Sequence, residues 1–223
     1  MKKISIIGLM SGTSMDGIDA SYIYSDGENV ERTGINSITN YQKKTSILLE
    51  KAMKSPISFL KNEELLIKLI KYITIDHAKA VINLKNKFKI NPFLIGFHGQ
   101  TLLHDPKILF SVQLGSGQQL SKILKTNVVY NFRHHDLKGG GQGAPIAPIY
   151  HKFIVKSLNL NLPTIIINIG GISNLSYWDG KTLLGFDIGP GNNLMDFYMK
   201  EKFNKPFDLD GVIASKGLVI NKY

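Results

Sequence analysis

The 223-residue chain is 43% apolar and 20% charged, ordinary values for a globular protein with one large core or two modest ones. Without cysteine it forms no disulfide, thiolate metal site or cysteine nucleophile, and no apolar run approaches the ~20 residues of a membrane span. Its net charge of +10 does not point to nucleic acid: all but Arg32 and Arg133 of the 27 basic residues are lysine, spread thinly and without interleaved aromatics.

The opening MKKISIIG resembles the start of a secretion signal, but glycines and Asp16 interrupt the apolar stretch too soon, so the expectation is a cytoplasmic protein. Residues 4–9 read as a buried strand, 18–24 as a second and 30–38 as a third beyond the turn in SDGEN, together an antiparallel meander. A helical pattern covers 42–54 and Pro56 breaks it. Apolar positions 65, 66, 69, 70, 73, 81, 82 and 84, with lysines between, predict a long amphipathic helix over 62–88 capped by Asn62.

From residue 93 onward, apolar runs at 93–97, 109–114, 128–130, 165–169 and 183–188 each end in a segment rich in Gly or Asn. Helical stretches lie near 117–125, 145–158 and 192–203. The alternation predicts an α/β architecture with ligand loops at strand ends. LNLNLP, residues 158–163, reads as a linker dividing the chain into 1–160 and 161–223.

Four polar segments carry the chemistry. GLMSGTSMDGIDA, residues 8–20, follows the first strand with three glycines and several hydroxyls. A turn of Gly12, Thr13, Ser14 and Gly17 between two strands can curl its N–H groups around an anion, and Asp16 can hold a magnesium ion through water. It is neither a Walker loop nor a dinucleotide fingerprint, because a hairpin follows instead of a helix. GFHGQTLLH, residues 96–104, sets His98 and Gln100 just past a strand, where both can donate to and accept from a sugar.

NFRHHDLKGGGQGAPIAP, residues 131–148, reads as a glycine-rich loop. It joins Arg133, suited to a carboxylate or phosphate, to Asp136, a candidate general base beside His134 and His135. NIGGISNLS, residues 168–176, repeats the opening idea as a hairpin. In GFDIGPGNNLMD, residues 185–196, Asp187 ends a strand, and Gly189, Gly191 and Asn192 lead into a helix whose free N–H groups suit an anion. Two such hairpins suggest a nucleotide clamped between related lobes.

These five stretches, in this order, resemble the successive signatures of the anhydro-N-acetylmuramic acid kinase family, from residue 4 to at least residue 217. The resemblance implies an actin/hexokinase-like (ribonuclease H-like) ATPase fold with a mixed sheet and flanking helices. It implies ATP and Mg2+ as cofactors and phosphorylation of O6 of 1,6-anhydro-N-acetylmuramic acid while water opens the anhydro ring, a step in murein recycling.

Residue by residue, it assigns Gly12, Thr13, Ser14, Met15, Asp16, Gly17, Ile18 and Asp19 to a first phosphate loop. Gly170, Gly171 and Asn174 go to a second, with Asp187, Gly189 and Gly191 beside it. Asp136 becomes the base, and Arg133 grips the lactyl carboxylate next to His98 and Gln100. Family members continue past DLDGVIASKGLV, so the expectation is a complete first lobe, an incomplete second one, and a homodimer or a complementing chain. An inactive remnant, half of a split gene, and a different sugar kinase of the same fold stay open as alternatives.

Overall fold

The computed structural model describes residues 2–12 and 17–219. Its contacts divide the chain into two compact units, Met1–Ile146 and Ala147–Tyr223.

In the first unit, strands β1 (Ile4–Ser11), β2 (Ile18–Ser25) and β3 (Val30–Thr39) form the antiparallel meander, Ile4 pairing with Ser25 and Ile18 with Thr39. Helices α1 (Lys43–Lys54), α2 (Pro56–Leu60) and α3 (Glu63–Phe88) follow. Pro56 sits in the first turn of α2, where its missing N–H costs nothing. The Asn62 side chain accepts from the Leu65 N–H at 3.0 Å, Glu63 and Glu64 meet the positive end of α3, and Lys85 and Lys87 its negative end. Leu69, Ile73, His77, Val81 and Leu84 make one buried stripe at helical spacing. They pack with Ile7, Leu9, Ile18, Ala20, Ile95 and Phe97 of the sheet.

Strand β4 (Leu94–Asp105) runs parallel to β1. Strand β5 (Phe110–Leu114) folds back antiparallel on the second half of β4. After helix α4 (Gly117–Leu124), strand β6 (Asn127–Tyr130) pairs parallel with its first half. The order β3-β2-β1-β4-β5, with β6 also on β4, is the expected mixed sheet flanked by helices. Parallel pairing brings the end of β1 beside the middle of β4, with Ser11 opposite Gln100. Gly99 bends the backbone there at φ +74°, and a Cβ on it would lie 2.5 Å from the Leu114 carbonyl oxygen. The unit closes with a short helix, α5 (Phe132–Lys138), inside the segment read as a loop.

The second unit comprises helix α6 (Ala147–Ser157), an antiparallel sheet of β7 (Thr164–Ile169), β8 (Ile172–Trp178) and β9 (Leu183–Pro190), and helix α7 (Asn193–Phe203). The division thus falls before α6 and not in the 158–163 stretch. The reason is packing: His151 of α6 shares a 2.7 Å hydrogen bond with the Ser176 hydroxyl of β8, and the Lys152 ammonium lies 4.2 Å from the Trp178 ring centroid.

Candidate active site

Gly12 follows β1 at the start of the expected first anion loop; Thr13, Ser14, Met15 and Asp16, with the expected metal role of Asp16, lie outside the described residues. Gly17 is buried, and a Cβ there would meet the Thr39 carbonyl oxygen at 3.0 Å. Ile18 and Asp19, expected at the end of the loop, are the first residues of β2, where Ile18 is fully buried and Asp19 pairs with Met10 and Ile38.

His98 and Gln100 lie within β4 instead of beyond it. Gln100 is fully buried, its Nε2 donating to the Gly12 carbonyl at 3.0 Å and its Oε1 accepting from the Tyr41 hydroxyl at 3.1 Å. Both ends of its amide are engaged inside the protein, and through Gly12 it ties the end of β1 to β4. Buried Ser11 reinforces the junction by donating to the Gly99 carbonyl at 3.2 Å.

Beneath this junction His77 lies edge-on to Tyr41 and Phe97, with centroids 6.1 and 4.9 Å away. Its Nδ1 meets the Ile73 carbonyl at 2.8 Å, which makes Nδ1 the protonated nitrogen, and Nε2 has no partner among the described residues. Burial pushes its pKa down from 6.5 to about 4; the Ile73 carbonyl and the Asp76 charge oppose the shift and His98 adds to it. Below pH 6.5 the unfolded chain takes up a proton that the folded one refuses, so stability is present above 6.5 and is lost as pH falls toward 4. Denaturant titrations are expected to show a loss of about 3 kcal/mol between neutral pH and pH ~4, and His77→Phe is expected to flatten that dependence.

Helix α5 places Arg133 and Asp136 three residues apart on one face. Arg133 Nε donates to His98 Nε2 at 2.9 Å, and its Nη1 donates to the Gly143 carbonyl at 2.8 Å. Asp136 Oδ2 accepts from the Gly143 N–H at 2.7 Å. Because Nε2 of His98 accepts, its Nδ1 carries the proton and donates to the Gly99 carbonyl at 2.8 Å. His98 is held neutral: burial lowers its pKa most, and the Arg133 charge adds to this against the Gly99 carbonyl.

The glycine run therefore folds back over α5, and a Cβ on Gly141 would overlap the Asp136 carboxylate. Arg133 commits Nε and Nη1 within the protein, which fixes the plane of its guanidinium. Arg133→Lys keeps the charge, yet one ammonium cannot span both partners. The substitution is expected to cost about 1–3 kcal/mol in denaturant unfolding.

In the second unit, Gly170 and Gly171 form the tip of the β7–β8 hairpin. The N–H groups of Gly191, Asn192 and Asn193 do not stay open to an anion: they donate to the Gly171, Gly170 and Gly171 carbonyls at 3.0, 2.7 and 3.4 Å. The glycines serve that embrace, since a Cβ on Gly171 would lie 2.5 Å from the Asn193 side-chain oxygen and one on Gly191 would overlap the Gly170 carbonyl. The Gly170 and Gly171 N–H groups donate to no backbone group in the turns among the described residues. Asp187 lies inside β9 in a cross-strand row, Asn168–Asn174–Asp187, with Gly189 two residues on at φ +149°. Among the described residues the Asp187 side chain has no hydrogen-bond or ion-pair partner, and no three His, Asp or Glu side chains cluster for a metal.

A family model described as anhydro-N-acetylmuramic acid kinase matches residues 4–223. The chain belongs to this family. Anhydro-N-acetylmuramic acid kinases of Rhodopseudomonas palustris, Azorhizobium caulinodans and Pelagibacter ubique are 39, 40 and 37% identical to it, over 97, 96 and 95% of this chain. The matches cover 61, 59 and 58% of those proteins, so the chain spans about 60% of their length. A solved exopolyphosphatase-like protein aligns with 96% of this chain and 59% of its own at 12% identity and a TM-score of 0.40, too remote to argue from. The kinase match takes in both glycine hairpins, the Arg133–Asp136 helix and the Asp187 row.

Proposed function

We propose that this chain supplies the sugar-handling and phosphate-loop portion of a cytoplasmic, ATP- and Mg2+-dependent kinase that phosphorylates O6 of 1,6-anhydro-N-acetylmuramic acid as water opens the anhydro ring. The observation that carries the reading is the family match across all five motifs, with Asp136 oriented by the Gly143 N–H. ATP with Mg2+ supplies the phosphoryl group when bound. The Gly170 and Gly171 N–H groups, which donate to no backbone group in the turns among the described residues, suit phosphate oxygens, and Mg2+ would rest largely on phosphate and water, with Asp16 as the carboxylate that the family resemblance assigns to it.

Asp136 has one oxygen fixed by Gly143, which leaves the other to take the proton of the water attacking C1. Arg133 holds the glycine run and His98 in place, and neutral His98 lines the sugar side. A second reading gives the base to Asp187, because that carboxylate carries none of the internal ties of Asp136 and lies in a polar row next to the Gly170–Gly171 tip.

Calorimetric titration of the chain with the anhydro sugar and with ATP, separately, tests the proposal. Sugar binding without measurable ATP binding fits a chain that brings its half of the site, and binding of both fits a site that needs nothing more. Absence of sugar binding contradicts the proposal. Preference for ordinary N-acetylmuramic acid would make this a different sugar kinase.

A further inference from the structure

Three consecutive residues of β4 reach in two directions. Gln100 holds the Gly12 carbonyl at the end of β1, and the Gly99 carbonyl accepts from the Ser11 hydroxyl at 3.2 Å. The same Gly99 carbonyl accepts from His98 Nδ1 at 2.8 Å. On the far side of the ring, His98 Nε2 accepts from Arg133 Nε at 2.9 Å. Arg133 Nη1 then donates to the Gly143 carbonyl at 2.8 Å, and the Gly143 N–H donates to Asp136 Oδ2 at 2.7 Å. Ser11, Gly99, His98, Arg133, Gly143 and Asp136 thus form one unbroken line. It runs from the strand end before the expected first phosphate loop to the proposed base.

Its two backbone nodes have no room to shift toward a side chain. A Cβ on Gly99 would lie 2.5 Å from the Leu114 carbonyl oxygen, and one on Gly143 would lie 3.0 Å from both His104 Cε1 and Leu137 Cγ. Ser11, Gly99 and Gly143 are buried and His98 and Arg133 half-buried, so the bonds act in a low dielectric, where they polarise one another. Asp136, at the end of the line, is exposed, as a group that meets substrate must be. His98 is the joint. Only the neutral ring with its proton on Nδ1 offers Gly99 a donor and Arg133 an acceptor. The other tautomer, or a second proton, would set one N–H against another at Arg133.

We propose that His98 is a positioning residue that holds Asp136 at a fixed distance from the entry to the first phosphate loop. The roles of the two ends rest on the kinase reading, whereas the line itself rests on the geometry alone. Phosphoryl transfer at O6 and water attack at C1 act on one sugar, and a misplacement of ~1 Å between the groups serving them costs ~10²-fold in rate.

Two substitutions test this. His98→Leu removes both nitrogens, and His98→Gln puts an amide oxygen near the place of Nε2, so Arg133 regains its acceptor. Amide exchange in the chain alone at neutral pH reads the line without substrate. Protection of the Gly143 N–H is expected to fall at least ~10-fold in His98→Leu and to return in large part in His98→Gln. Imidazole 15N spectra of the unsubstituted chain are expected to place the His98 proton on Nδ1, a result that stands even if the leucine variant fails to fold. Kinetics with the rest of the family polypeptide supplied are expected to show kcat at least ~10-fold lower in His98→Leu, recovery in His98→Gln, and a much smaller change in KM for the sugar. A proton on Nε2, or unchanged Gly143 protection in His98→Leu, would overturn the proposal whether or not the chain is a kinase. A raised sugar KM at unchanged kcat would also overturn it, because His98 would then be a sugar ligand. Absence of turnover without any substitution, with the exchange result as expected, would contradict the kinase reading and uphold the line.

Discussion

Asp136→Asn is expected to lower turnover at least ~10²-fold while leaving affinity for the anhydro sugar nearly unchanged. The substitution isolates basicity. An asparagine oxygen can still accept from the Gly143 N–H at 2.7 Å, so the glycine run keeps its anchor, and no bulk is added where Gly141 already leaves no room for a Cβ. The measurement is steady-state kinetics with the rest of the family polypeptide supplied, paired with a sugar-binding titration. A wild-type rate would move the base to Asp187, and Asp187→Asn would then carry the large loss. A loss of sugar affinity along with rate would mean that Asp136 builds the loop instead of performing chemistry.

Gln100→Leu is expected to be the most destabilising change near the site, at about 2–4 kcal/mol. Leucine fills the same space but abandons two hydrogen bonds, leaving the Gly12 carbonyl and the Tyr41 hydroxyl without their amide in a buried setting. Since Gly12 is the entry to the first loop, the surviving folded fraction is expected to show a raised KM for ATP with a smaller change in KM for the sugar. Denaturant unfolding gives the first number and kinetics the second. Unchanged stability would show that the Gly12 junction is held by Ser11 and the strand pairing alone.

The sequence was readable where local physics decides. The 62–88 pattern gave α3 at Glu63–Phe88 with Asn62 capping it, because a long amphipathic stripe and an N-cap are both local signals. The meander and the Gly170–Gly171 hairpin were equally plain. Helix α5 was missed because seven residues with two histidines, beside a glycine run, show no period to read.

The role of Gln100 was hidden for a different reason: its partners Tyr41 and Gly12 are 59 and 88 residues away in the chain, and only the parallel pairing of β1 and β4 brings them together. The domain boundary shifted because α6 belongs to whichever sheet its His151 and Lys152 meet, and composition does not record that. Free N–H groups at the start of α7 were a fair inference from Gly-Pro-Gly-Asn, but the carbonyls of a neighbouring hairpin tip claim them. Arg133 is the same kind of case: the need for a planar fork was legible, and the partners, His98 and Gly143, were not.

In the proposed function, phosphoryl transfer at O6 is coupled to attack of water at C1. The most direct measurement supplies the rest of the family polypeptide, ATP, Mg2+ and 1,6-anhydro-N-acetylmuramic acid in 18O-labelled water, and weighs the product by mass spectrometry. The expected product is N-acetylmuramic acid 6-phosphate carrying one 18O atom at C1. A phosphorylated product that keeps its anhydro ring, or one opened without label at C1, would contradict it.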